Sequence, residues 1–189
     1  MPKLWNQTIE AHRRDVQEAV VAATARLVAE EGPLSVTMSR IAQESGIGRA
    51  TLYKYFPDVE SILIAWHDRV IAEHVRRLGD ARGRVDDAEE RLEAVLTTYA
   101  TILHDSHAHG NSDLAAFLHG GDRTAQAERE LRDMVRDLIA DAAATGAVRD
   151  EPPDELASYC LSALGAASQA PSKAAVKRLV AITLAGLRP

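Results

Sequence analysis

The chain has 189 residues, a mass of 20.5 kDa and a formal net charge of −6. Its 46% hydrophobic and 26% charged residues are those of a soluble globular protein of one domain, or of two small ones. The longest apolar runs, such as Ile62–Trp66, have five residues, far short of the roughly 18 a membrane span needs. One cysteine, Cys160, excludes an intramolecular disulfide and a thiolate cluster for zinc. The first residues carry no apolar segment of the secretory type, so a cytoplasmic location with no membrane contact is expected. Taken alone, the negative charge points mildly away from nucleic acid.

Composition favours helix. Ala occurs 33 times and aromatic residues make up only 4%. Arg outnumbers Lys 18 to 4, which reads as GC-rich codon usage. In chain order, Val16, Ala19, Val20, Ala23, Thr24 and Leu27 form a helical stripe closed by Gly32 and Pro33. Thr37 caps a short second helix with Met38, Ile41 and Ala42, ended by Gly46. A third segment runs from Gly48 to Phe56 and stops at Pro57. Asp58 caps a fourth helix carrying Leu63, Trp66, His67, Val70, Ile71 and His74, and a polar stretch with Gly79 and Gly83 breaks the pattern.

The fifth helix places Leu92, Val95, Leu96, Tyr99 and Leu103 on one side and runs into a turn around His104–Asn111. Leu114–His119 is a short helical piece. The next helix carries Leu131, Met134, Val135, Leu138, Ile139 and Ala142, up to Gly146. Two wide apolar faces follow. One, opened by Pro152 and Pro153, holds Leu156, Cys160, Ala163, Leu164 and Ala167; the other, after Pro171, holds Val176, Leu179, Val180, Leu184 and Leu187. The expectation is an all-α fold of about nine helices, divided into residues 1–57 and 58–189.

Residues 37–56 carry the chemistry. They read as helix, Gly-containing turn, helix, the helix-turn-helix layout. Ile41, Ala42, Ile47, Leu52 and Phe56 supply a small core. The other side chains are donors: Thr37, Ser39, Arg40, Arg49, Thr51, Tyr53, Lys54 and Tyr55. Such groups suit phosphates and base edges, and helix N-termini near Thr37 and Gly48 favour phosphate. Charge supports this. Residues 1–57 hold seven basic and six acidic groups, a net of +1, so residues 58–189 carry −7.

The run Val20–Gly32, Thr37-x-x-x-Ile41-Ala42, Gly46-Ile47 and Thr51-Leu52-Tyr53-x-x-Phe56 resembles the DNA-binding domain of TetR-type transcriptional regulators over about residues 13–66. The resemblance implies a homodimer on double-stranded palindromic operator DNA. It also implies a C-terminal effector-binding and dimerisation domain, and release by a small molecule. By position, Arg49, Ala50 and Thr51 would face bases. Tyr53, Lys54, Tyr55 and Thr37 would hold phosphates, with Arg40 and Gly48 beside them. Arg13 and Arg14, expected ahead of the first helix, would reach phosphate or the minor groove. Three positions depart from the family: Gly48 where Ser is common, Val59 where Lys is frequent, and Tyr55 where His is common.

The remaining candidates are weighed against plainer roles. Trp66, His67, Val70, Tyr99, Leu103, Phe117, Met134 and Leu138 are candidate effector-lining residues for a hydrophobic or aromatic ligand of unknown identity, and equally core candidates. The two late helices, Leu156, Cys160, Ala163, Leu164 and Ala167 with Val176, Leu179, Val180, Leu184 and Leu187, are read as a four-helix dimer interface. Cys160 reads as a buried apolar residue. His104 and His107, near His109 and His119, have ligand spacing but sit at a turn, so no metal is expected. Enzyme motifs such as a P-loop or Gly-x-Ser-x-Gly are absent, and no catalytic residue or cofactor is expected. An activator, or a helical carrier or enzyme with a vestigial helix-turn-helix, is the alternative.

Overall fold

The computed structural model describes residues 2–108 and 122–189, with side chains over 11–106 and 123–189. Among these there are eight α-helices and no strand: α1 (Pro2–Glu31), α2 (Met38–Ser45), α3 (Arg49–Tyr55), α4 (Val59–Arg82), α5 (Ala88–Ala108), α6 (Asp122–Ala144), α7 (Pro153–Gly165) and α8 (Lys173–Ala185). Short 3-10 turns cover Pro33–Ser35 and Ala166–Gln169. The fold is all-α, as expected; the helical piece at Leu114–His119 lies outside the described residues.

The chain divides into two compact units, Met1–Val70 and Ile71–Pro189. The division between these units falls inside α4. Pro57 ends a helix, but the first turns of α4, which bury Ile62 and Trp66, group with the helices before them.

In the first unit, α1 begins fourteen residues before the apolar stripe does. Pro2 is tolerated in a first helical turn, and no breaker follows it. Arg13 and Arg14 therefore stand within α1, exposed, and do not precede it. Val16, Val20, Ala23, Thr24, Leu27 and Val28 are buried, and Thr24 donates its hydroxyl to the Val20 carbonyl at 2.9 Å. Thr37 caps α2 by accepting from the Arg40 amide at 3.3 Å. Gly46 closes α2 at φ +71°, in the left-handed region. Gly48 then caps α3 with no side-chain bond. Ile41 and Leu52 are fully buried and Phe56 nearly so, while Ala42 and Ile47 are half-buried. Asp58 caps α4 by accepting from the Ser61 amide at 2.8 Å.

The second unit is built on α5, which packs against α6, α7, α8 and the second 3-10 turn. Leu92, Val95, Leu96 and Ala100 meet Val135, Leu138, Ile139, Leu164 and Val176 in one core. Gly79 does not break α4. Leu78 and Ala81, buried on either side of it, offset the roughly 1 kcal/mol that a mid-helix glycine costs. The C-terminus is tied down: the Arg149 amide donates to the Leu187 carbonyl at 2.9 Å and its guanidinium to the Arg188 carbonyl at 2.8 Å.

The two turn glycines should respond in opposite directions. At Gly46 a side chain enters the left-handed region, so Gly46→Ala is expected to destabilise by about 1–2 kcal/mol. At Gly48 an added Cβ meets nothing within 4 Å and a hydroxyl supplies the missing cap. Gly48→Ser should gain about 0.5 kcal/mol. Both tryptophans, Trp5 and Trp66, belong to the first unit, so urea unfolding followed by tryptophan fluorescence reads both changes.

Candidate nucleic-acid interface

Leu52 and Phe56 anchor α3 from beneath, and this decides what its other side presents. Arg49, Ala50, Tyr53 and Lys54 are exposed, and Thr51 and Tyr55 are half-buried. Tyr53 is 48% exposed, so of the two tyrosines only Tyr55 is partly committed to packing. Among the described residues neither Arg49 nor Lys54 has a carboxylate partner. The Thr37 oxygen accepts the α2 cap bond, and its exposed O–H is left to donate.

Arg40 differs from the other expected donors. Its Nη1 donates to Glu31 Oε2 at 3.0 Å and its Nη2 to Glu31 Oε1. Arg26 pairs with Glu44 at 2.7 Å. Both pairs join α1 to α2. Sequence reasoning missed them because the partners stand nine and eighteen positions apart, on different helices.

The expected effector residues fall in both units. Trp66, His67 and Val70 belong to the first unit, and Tyr99, Leu103, Met134 and Leu138 to the second; Phe117 lies outside the described residues. Trp66 and Leu138 are core residues, 7% and 0% exposed, so neither lines open space. Tyr99, Leu103 and Met134 are half-buried against the second core. Burial, and then the Glu128 carboxylate, raise the Tyr99 phenol above its usual pKa. An open groove of about 540 Å³ in the second unit is lined by Ala81, Arg84, Val85, Glu90, Glu93, Ala94, Thr97 and Thr98, and by none of the expected residues. The His104 Nδ1 is buried without a hydrogen-bond partner. The side chains of His107, His109 and His119 lie outside the described residues, and no metal-ligating cluster is present among those described.

Much of the expected dimer face is buried within the chain itself. Cys160, Leu164, Ala167, Val176, Val180 and Leu187 are buried within this chain, at 0–3% exposure, and Leu156, Leu179 and Leu184 pack against the same core. Ala163 is half-buried. A side chain enclosed by its own fold cannot also face a partner. The outward side of these helices carries Tyr159 and Ile182, at 44% and 67% exposure, with Ser162, Ala166, Ala181 and Ala185 exposed on the same two segments.

Comparison with known proteins agrees with this geometry. Residues 20–65 match the family described as bacterial regulatory proteins of the tetR family. Residues 58–189 match the C-terminal domain of SbtR-like transcriptional regulators. The chain therefore belongs to the TetR family of helix-turn-helix transcriptional regulators. Over 136 residues it is 28% identical to the regulator BetI of Brucella anthropi, covering 72% of this chain and 64% of that one. Over 88 residues it is 26% identical to the fatty acid metabolism regulator protein of Bacillus subtilis, covering 47% and 45%. The match thus spans less than two thirds of either relative. The fold is shared with a TetR/AcrR-family regulator from Thermobifida fusca, with a TM-score of 0.79 at 20% identity, covering 93% of this chain and all of that one. It is also shared with AibR, solved with isovaleryl coenzyme A and operator DNA, with a TM-score of 0.66 at 16% identity, covering 92% and 98%. No helix among the described residues is long and apolar enough to cross a membrane.

Burial pushes the Cys160 thiol up to about 11. At pH 8 only about one thiol in a thousand is then thiolate. A thiol-alkylating reagent at pH 8 should leave the native protein unlabelled and add one group per chain in 8 M urea, as read by intact-mass spectrometry.

Proposed function

We propose that the protein is a homodimeric repressor that binds a palindromic operator through α3 and is released by a small hydrophobic effector. The observation that carries this reading is α3 itself, a short helix anchored by Leu52 and Phe56 with Arg49 and Lys54 exposed and unpaired. Arg49, Ala50 and Thr51, on its first turn, are assigned to base edges. Tyr53, Lys54 and Tyr55, with Thr37 and the Gly48 amide region, are assigned to phosphates. A carrier with a vestigial reader has no use for free cations there.

Dimerisation is assigned to the outward face of α7 and α8. Tyr159 lies over Gly186, where an added Cβ would come within 2.6 Å of the phenol oxygen. Gly186 is one turn beyond Ile182, so tyrosine and isoleucine belong to one patch. The small residues beside them allow two such faces to approach closely. The effector is assigned to the second unit near Tyr99, Leu103 and Met134. AibR was solved with isovaleryl coenzyme A, and the Bacillus relative is named for fatty acid metabolism. These relatives support an effector carrying an acyl chain.

The direct test is selection of bound fragments from the source genome. A palindrome with half-sites about 34–36 Å apart, or somewhat more, is expected; recovery of no preferred sequence would overturn the reading. Acyl thioesters and fatty acids, titrated into the complex, should release the DNA. Lys54→Ala should weaken binding to all sequences and lower the salt slope by about one, whereas Arg49→Ala should change the preferred sequence. A preference unchanged by Arg49→Ala removes that residue from base reading.

The dimer face has its own test. Ile182→Asp, at a position the single chain leaves exposed, should give a folded monomer by sedimentation velocity with operator affinity lost. A dimer that survives places the interface elsewhere.

A further inference from the structure

Arg40 stands on the first turn of α2, whose cap and free amides face the direction from which an anion would approach. Its charge is already paired. Both terminal nitrogens donate to the two oxygens of Glu31. This two-pronged geometry is the one arginine uses on a phosphate, so the Glu31 carboxylate occupies the place a DNA phosphate would take.

The pair has little structural purpose. Its side chains are 47% and 34% exposed, where ion pairs contribute little to stability. Glu31 is the last residue of α1, where the helix dipole disfavours negative charge. Arg26 and Glu44 already join the same two helices, and Leu27 and Ile41 are buried in the same unit. What the pair does change is the count of available cations. Arg26 and Arg40 are neutralised by carboxylates, while Arg49 and Lys54 are not.

We propose that Glu31 is a specificity-determining residue: an internal phosphate mimic that occupies Arg40 until a correctly seated operator phosphate displaces it. The inference rests on the DNA-binding reading above. On non-operator DNA, with α3 not seated, Arg40 stays paired and releases no counterion. On the operator, the α2 N-terminus and the α3 contacts bring a phosphate to Arg40 and the exchange occurs. The pair thus lowers affinity for bulk DNA more than affinity for the target.

The test is the salt dependence of binding to a random-sequence duplex between 50 and 200 mM salt. Glu31→Gln should steepen the slope by about 0.9, so that the affinity lost across this range grows about threefold. Operator affinity should rise less, and the ratio of specific to non-specific binding should fall. Arg40→Ala alone should leave the non-specific slope unchanged; added to Glu31→Gln it should return the slope to that of the parent. Glu31→Asp, too short to close both nitrogens, should fall between, and serves if the Gln variant does not fold. A parent-like slope in folded Glu31→Gln or Glu31→Asp, or a flattened slope in Arg40→Ala alone, overturns the proposal. Absence of binding to any duplex by the parent overturns the DNA-binding reading along with it, whereas binding with unchanged slopes removes only the role of Glu31.

Discussion

A helix of seven residues has no stability of its own in water. The presentation of α3 therefore depends on the burial of Leu52, with Phe56 closing the end of the helix. These two apolar side chains, eleven and fifteen residues after Ile41 of the α2 core, hold the segment in place, and the Gly46 turn sets its angle. Each exposed group on α3 takes its direction from that anchoring. A loosened Leu52 would not remove a single donor, yet it would scatter all of them, because donors on an unfixed helix have no common geometry.

Charge follows the same division of labour. The net of −6 for the whole chain averages a nearly neutral reading unit with an acidic body. Within the reading unit the cancellation is not diffuse. Glu44 and Glu31 each sit in the last turn of a helix and each hold a particular arginine. Among the described residues of that unit, Arg49 and Lys54 on α3, Arg13 and Arg14 on α1 and Arg69 on α4 have no carboxylate partner. A surface with few free cations binds DNA weakly through phosphate attraction alone, so discrimination must come from geometry that only the right sequence satisfies.

Much of this was legible in the sequence because it rests on local rules. Thr37, Asp58 and the left-handed Gly46 do what short-range signals imply, and the three-and-four spacing of apolar positions placed most helices. Failures arose where a local signal met a longer-range one. Gly79 has the look of a breaker, but Leu78 and Ala81 are buried around it and the helix continues. Residues 3–15 have no apolar stripe, so nothing in their pattern announces α1. The Arg40–Glu31 and Arg26–Glu44 pairs join different helices, and no spacing rule within one helix finds them.

The late helices show a deeper ambiguity. In α7 and α8 small and apolar residues run almost all the way round, so periodicity identifies the helices but not which side is the inner one. The stripe with the larger residues, Leu164, Val176, Val180 and Leu187, has the apolar width of a partner's surface. It is instead the side the chain needs first. A unit of this size must fill its own core before any surface is left for association, and the largest aliphatic side chains go there. What remains outward includes Ser162, Ala181, Ala185, Tyr159 and Ile182, together with the charged Asp154, Glu155, Lys177 and Arg178. Such a face is too thin in apolar area to be a core. In an alanine-rich helix, then, the richer stripe marks the side that closes the fold.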